Sequence, residues 1–177
     1  KGKVIRMIKK IIFLYFIITG LVYCDFLVND RNFENPNNLT GLWKISLDDK
    51  FDKSKIDILH DVKVNKHLKS QYMNKIGIIW YYTNVEINMN IKTDMILLLG
   101  QIDDEEEVYF NGKKIGETKT EKYGDNDIKS KYDLKRFYIV PKDLINFSGT
   151  NEILIKVNNI VSDGGLYGKS IGIITAD

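Results

Sequence analysis

From Ile79 onward the chain alternates, with Ile79, Tyr81, Thr83, Val85, Ile87 and Met89 on one side and Trp80, Tyr82, Asn84, Glu86 and Asn88 on the other. A period of two sends successive side chains to opposite faces of a strand, so the pattern predicts a long, half-buried strand in a large sheet. Trp43, Ile45 and Leu47 alternate with Lys44 and Ser46 in the same way, Val62 and Val64 on a shorter scale, and Ile153, Ile155 and Val157 further on. The apolar run at 95 to 99, closed by Gly100, has the pattern of a strand covered on both faces. Val108-Tyr109-Phe110 leads into Asn111-Gly112, a pair that tolerates the positive φ angles of a type I′ turn, which predicts a hairpin. Residues 118 to 131 are polar and include Gly124, Asp125, Asn126 and Asp127, so they predict a long loop. A strand at 136 to 140 is stopped by Pro141, with one helical turn following, and a last strand at 171 to 174 comes after the glycine-rich stretch 164 to 168. Many short strands, frequent turn signals and no amphipathic helix in the body predict an all-β sandwich without internal repeats.

The N-terminus breaks this pattern. Met7-Ile8-Lys9-Lys10 precedes an apolar stretch at 11 to 23, interrupted only by Thr19 and Gly20, and then Cys24-Asp25. A basic segment followed by an apolar segment too short for a comfortable membrane span predicts a signal segment over 1–24. Cys24 is the only cysteine, so no intrachain disulfide forms. Its place resembles the acylated cysteine of bacterial lipoproteins, although Tyr23 stands where that pattern has a small residue. A lipid anchor at Cys24 that tethers the chain to a membrane, simple secretion, and an uncleaved membrane anchor are all open, and each puts the body outside the cytoplasm. Residues 25–40, with Asn35-Pro36-Asn37-Asn38, lack periodicity and are expected to be a tether ahead of a single domain over 41–177.

With 177 residues, 44% hydrophobic and 28% charged, the chain has enough apolar material for one packed domain and excludes two large ones. The net charge of +2 is misleading, because Lys1, Lys3, Arg6, Lys9 and Lys10 all lie in the leader. The remaining 21 basic and 24 acidic residues give −3, so nucleic acid is not an expected partner.

The stretch Leu99-Gly100-Gln101-Ile102-Asp103-Asp104-Glu105-Glu106-Glu107-Val108-Tyr109-Phe110-Asn111-Gly112-Lys113-Lys114-Ile115-Gly116 resembles the sugar-binding-like domain of glycoside hydrolase family 2, a module also found within sialate O-acetylesterases. Glu106 stands where that family commonly has Asp. Gly41-Leu42-Trp43-Lys44, Ile79-Trp80-Tyr81-Tyr82, Arg136-Phe137-Tyr138-Ile139-Val140-Pro141 and Asp163-Gly164-Gly165-Leu166-Tyr167-Gly168 match in the same order. The resemblance implies a galactose-binding-like jelly roll of eight or nine strands that is an accessory to a much larger enzyme. The family's catalytic glutamates sit on a separate barrel, and the esterases' catalytic residues lie in another domain too. The resemblance therefore implies a non-catalytic module that binds carbohydrate weakly or docks on a glycan-processing enzyme. Alternatively, it is an accessory domain or fragment of an assembly whose catalytic domain is on another chain.

Individual residues sharpen that expectation. The acid run 103 to 107 could take calcium through Asp103 and Asp104, because hard cations collect oxygen ligands. Its plainer reading has an aspartate accepting backbone hydrogen bonds in a turn while the glutamates are solvated. Glycosidase catalysis needs two carboxyls on opposite sides of a sugar, which neighbours on one turn do not supply. His60 and His67 lack a metal or triad motif around them, and no nucleophile turn of the G-x-S-x-G kind occurs, so no catalytic residue is assigned. Trp80 and Tyr82 point away from the face carrying Tyr81 and could pack on the apolar face of a sugar, but sandwich cores bury such residues routinely, and Trp43 and Trp80 are expected to be structural. Tyr123, Tyr167, Asp163 and Asn111, in or beside loops, are the candidates for a carbohydrate-binding rim. Asn38 and Asn146 begin Asn-x-Ser/Thr sequons, unsurprising in an asparagine-rich chain.

Overall fold

The computed structural model describes residues 26–28, 37–64, 66, 71, 75–123, 127–129, 131–160 and 164–176. Its strands are β1 (Phe26–Val28), β2 (Asn37–Asn38), β3 (Leu42–Ser46), β4 (His60–Lys63), β5 (Gly77–Asn88), β6 (Met95–Asp103), β7 (Glu105–Phe110) and β8 (Lys113–Thr118). They continue with β9 (Glu121–Tyr123), β10 (Asp127–Lys129), β11 (Lys135–Val140), β12 (Ser148–Asn159) and β13 (Gly165–Thr175). Short 3-10 turns lie at Lys53–Ile58 and Lys142–Leu144, and the described residues contain no α-helix, so the fold is all-β.

Two antiparallel sheets make a sandwich. The first runs β4-β3-β5-β12-β7-β8, with β1 added in parallel beside β5; the second runs β11-β6-β13-β2. The alternation read from the sequence becomes the packing. Ile79, Tyr81, Val85 and Ile87 of β5, Ile153, Ile155 and Val157 of β12, and Val108 and Phe110 of β7 face Met95, Leu97, Leu99 and Ile102 of β6 and Ile173 of β13. Each is at most 1% exposed, and burying a side chain of this size contributes roughly 1.5–3 kcal/mol. Trp43 is also fully buried, and its indole Nε1 donates to the Leu39 carbonyl at 2.9 Å. The Asn111-Gly112 hairpin forms as expected. Its φ angles of 48° and 77° are both positive, with Phe110 paired to Lys113 across a two-residue I′ turn.

Four expectations fail, each for a physical reason. The apolar run at 95 to 99 does not end at Gly100. Gly100 takes φ +63° and carries β6 through a bulge, so Arg136 pairs with Gly100 and Phe137 with Leu98. Nor is that strand covered on both faces, since Ile96 and Leu98 turn outward and are only half-buried. The polar stretch 118 to 131 is not one long loop: β9 and β10 pair as a small hairpin, because backbone hydrogen bonds do not need apolar side chains. The sandwich also reaches into 25–40. There β1 and β2 join the two sheets and Val28 and Leu39 enter the core, because isolated apolar residues in an Asn-rich stretch still gain by burial.

Candidate functional site

The acid run is mainly strand rather than turn. Asp103 ends β6, Asp104 links the sheets, and Glu105, Glu106 and Glu107 open β7. Counting back by twos from Phe110 and Val108 puts Glu106 between the sheets, with Glu105, Glu107 and Tyr109 on the outer face. The expectation that the glutamates are solvated is therefore corrected for Glu106, which is 2% exposed.

A buried charge needs a partner, and Glu106 finds Arg136 of the opposite sheet. The Arg136 Nε lies 3.2 Å from both Glu106 carboxylate oxygens. Its Nη1 donates to the carbonyls of Lys131 and Leu134 at 2.6 Å, and its Nη2 donates to the Asp104 carbonyl at 3.0 Å. The Tyr138 hydroxyl donates to Glu106 and also meets Thr118 Oγ1 at 3.0 Å. Burial, reinforced by that bond to Glu106, pushes the Tyr138 hydroxyl well above the ordinary tyrosine range. Asp104 is fully buried, and its Oδ2 accepts from the Ile160 amide at 2.8 Å. This corner ties β7, β11 and the link between β6 and β7 together.

Outside, the remaining acids are paired in the open. Glu107 accepts from Tyr109 Oη at 2.7 Å and from Lys114 and Lys156, each at 3.1 Å. The Tyr109 bond, helped by Lys156, holds the Glu107 carboxyl down at about 2. Burial works against ionisation of Glu105, yet hydrogen bonds from Thr120 and Asn158 outweigh it and keep that carboxyl below its usual range. Glu105 and Glu107 share the rim of an open groove of about 360 Å³ with Lys119, Lys156 and Asn158. Both carboxylates project from the same face of one strand, so they cannot take opposite sides of a sugar ring. Among the described residues no group of three His, Cys, Asp or Glu side chains gathers to hold a metal ion.

Of the rim candidates, Tyr167 lies in β13 beside a register shift, and its hydroxyl donates to the Tyr132 carbonyl at 3.0 Å. Burial, with the charge of Asp103 nearby, pushes that hydroxyl up to about 12. Asp103, Asp104 and Tyr167 thus share one end of the sandwich. Asn111 is at the far end of β7, about 20 Å away at some 3.3 Å per residue. Its side chain is engaged within the protein: Nδ2 donates to the Leu144 carbonyl at 2.7 Å and to Asn151 Oδ1 at 2.8 Å, and Oδ1 accepts from the Glu152 amide. Tyr123 ends β9, while Asp163, Cys24 and His67 lie outside the described residues. His60 is exposed on β4.

Sequence reasoning missed Asn151, which is 1% exposed and closes the same end by donating to the Asn146 and Gly149 carbonyls. It also passed over the strap between β3 and β4. Phe51 of that strap lies over the outer face of the first sheet, its ring centroid 5.7 Å from Trp80 and 5.8 Å from Tyr82. In-register counting finds Asn151, because it stands inward with Ile153. A strap without periodicity leaves no such signal.

No protein-family model matches the chain, and no curated protein does. Solved structures do match in fold. A β-glucuronidase from Ruminococcus gnavus superposes with a TM-score of 0.56 at 16% identity over 77% of this chain and 23% of its own. The same enzyme bound to a C6-substituted uronic isofagomine gives 0.56 at 18% identity over 78% and 24%, and bound to an N1-substituted one, 0.53 at 18% over 68% and 21%. The chain therefore has the fold of a β-sandwich portion of a glycoside hydrolase and spans about a quarter of that enzyme's length.

Proposed function

We propose that the chain is a non-catalytic, carbohydrate-associated module, a galactose-binding-like jelly roll that serves beside a glycan-processing enzyme or binds glycan weakly itself. The observation that carries this reading is the fold likeness to about a quarter of a β-glucuronidase chain. The state of the acids supports it: Asp104, Glu105, Glu106 and Glu107 each hold a protein donor, and none is left facing another across a groove. The second sheet supports the docking side. Phe137 and Ile139 stand 67% and 59% exposed on its outer face, beside the half-buried Ile96 and Leu98, and large apolar side chains grouped on a surface mark contact sites. Export through a leader over 1–24, with the module secreted or held to a membrane through Cys24, is part of the same proposal. Calcium at Asp103 and Asp104 is the alternative role for those two residues and is not required by this reading.

Assay of the purified chain on 4-nitrophenyl glycosides and 4-nitrophenyl acetate tests it directly. The expected result is no turnover above the buffer rate. Hydrolysis that disappears with Glu107→Gln, or with any other single carboxylate substitution, would make the chain an enzyme and sink the reading.

A further inference from the structure

We infer that the outer face of the first sheet carries a stacking site for a neutral pyranose ring on Trp80 and Tyr82, covered in this conformation by Phe51. The inference rests on the carbohydrate-associated reading above and moves the sugar from the loop rim to the sheet.

Four observations converge on that face. Phe51 sits over both aromatic rings, at an interplanar angle of 24° to Tyr82, where a flat ligand with an apolar face would lie. The Trp80 Nε1 is buried and has no acceptor within the protein, whereas the indole of Trp43 on the inner face is satisfied by Leu39. Buried indole donors ordinarily find a partner, and a sugar hydroxyl or ring oxygen is an acceptor at the edge of a stacked ring. Leu47 anchors the strap on the core, and the turn beyond Phe51 is tied to the sheet by a surface pair. Lys53, its side chain 67% exposed, pairs with Glu152, and a hollow open to solvent lies between the limbs of the strap, lined by Leu47, Lys55 and Leu59 among others.

The fourth observation sets the ligand class. In register beside Trp80 stand Lys156 and Glu107, with Asn158 and Glu105 in the next row, and these supply hydroxyl partners along one edge. The Lys156 ammonium also sits 5.8 Å from the Trp80 ring centroid. The charges around the two rings are largely paired, Glu107 with Lys114 and Lys156, Glu152 with Lys53, and Lys44 with Asp61. A uronate or phosphate would have to break existing pairs, whereas a neutral hexose or pentose would not.

Phe51 and the sugar compete for one surface, so the apparent affinity is reduced by the fraction of chains in which the strap is open. Isothermal titration of the full chain with cellopentaose, xylopentaose and β-1,4-galactotetraose at millimolar concentration reads this out. Phe51→Ala is expected to bind one of them about tenfold more tightly than the wild type, the gain from a cover closed in about nine chains of ten. Adding Trp80→Phe, which keeps a ring and removes the donor, is expected to cost about tenfold. Melting curves establish that each variant is folded, and Lys53→Ala, at an exposed position, loosens the same strap with a smaller gain. No binding by Phe51→Ala or Lys53→Ala overturns the site, as does an affinity that Trp80→Phe leaves unchanged. Binding lost with Tyr167→Ala but unweakened by Trp80→Phe returns the sugar to the rim, ending this inference while sparing the proposed function. Glycoside hydrolysis by the chain does the opposite.

Discussion

Glu106 and Glu107 are neighbours in one acid run, yet the two regions they enter obey different electrostatics. Glu106 faces inward, where Arg136 spans the sandwich to reach it and both side chains are at most 1% exposed. Glu107 faces outward, shared among Tyr109, Lys114 and Lys156, with the lysines 39% and 31% exposed. Removing two ions from water costs several kcal/mol each, so the inner pair holds only because its hydrogen bonds are nearly complete. The outer pairs keep much of their hydration and contribute little individually. One pair fixes how the two sheets meet, whereas the others tune a surface.

The sharpest way to break this contrast is to remove the inner cation. Arg136→Met leaves Glu106 buried and unpaired, and is expected to cost about 3–5 kcal/mol of unfolding free energy in urea titration. Glu106→Leu in the same chain is expected to recover most of that loss, because an apolar pair of similar volume no longer carries a stranded charge. A loss under about 1 kcal/mol for Arg136→Met would mean that water reaches the pair, and the two regions would then be alike.

Asp104 extends the inner region and should come next. Its carboxylate accepts the Ile160 amide at 2.8 Å in a fully buried position, so Asp104→Ala strands a donor and is expected to cost about 1–3 kcal/mol. Asp103→Ala, at a half-buried position, should cost less. Millimolar calcium is expected to leave the melting temperature of the wild type unchanged. A calcium-dependent rise absent from Asp104→Ala would reassign the residue as a metal ligand.

Much of this contrast was legible in the chain. The period of two that places Ile79, Tyr81 and Val85 in the core also places Glu106 inward, two residues before Val108, and Asn151 inward, two before Ile153. The run of five acids hid this, because carboxylates in series suggest a solvated turn and only the register with Val108 separates one from its neighbours. Arg136 was visible only as the first residue of an apolar strand, since pairing between sheets depends on strand order rather than on sequence distance. The bulge at Gly100 was hidden too. A glycine after an apolar run suggests a stop, and only the Tyr167 carbonyl, 3.0 Å from where a Cβ would stand, reveals a close backbone approach. The strap carrying Phe51 obeys no period, so neither its path nor its contact with Trp80 could be read beforehand.

The smallest effect probes the outer region by pH. Glu107 titrates at about 2 in the folded chain against an ordinary 4.5, so its ionised form is favoured by folding. That contribution is fully present above about pH 4.5 and is lost as the pH falls through about 2. Partial exposure of the carboxylate and both lysines screens it, so Glu107→Gln is expected to cost less than about 1 kcal/mol at pH 7. The gap between wild type and variant, followed by thermal melts, should narrow steadily between pH 5 and pH 2 and shrink with added salt, because exposed pairs are screened by ions. The sign is opposite to that for a group stabilised in its protonated form, whose contribution would be lost on raising the pH. A gap that holds constant across this acid range would assign the effect of Glu107→Gln to packing, and the outer region would no longer differ from the inner one by its exposure to water.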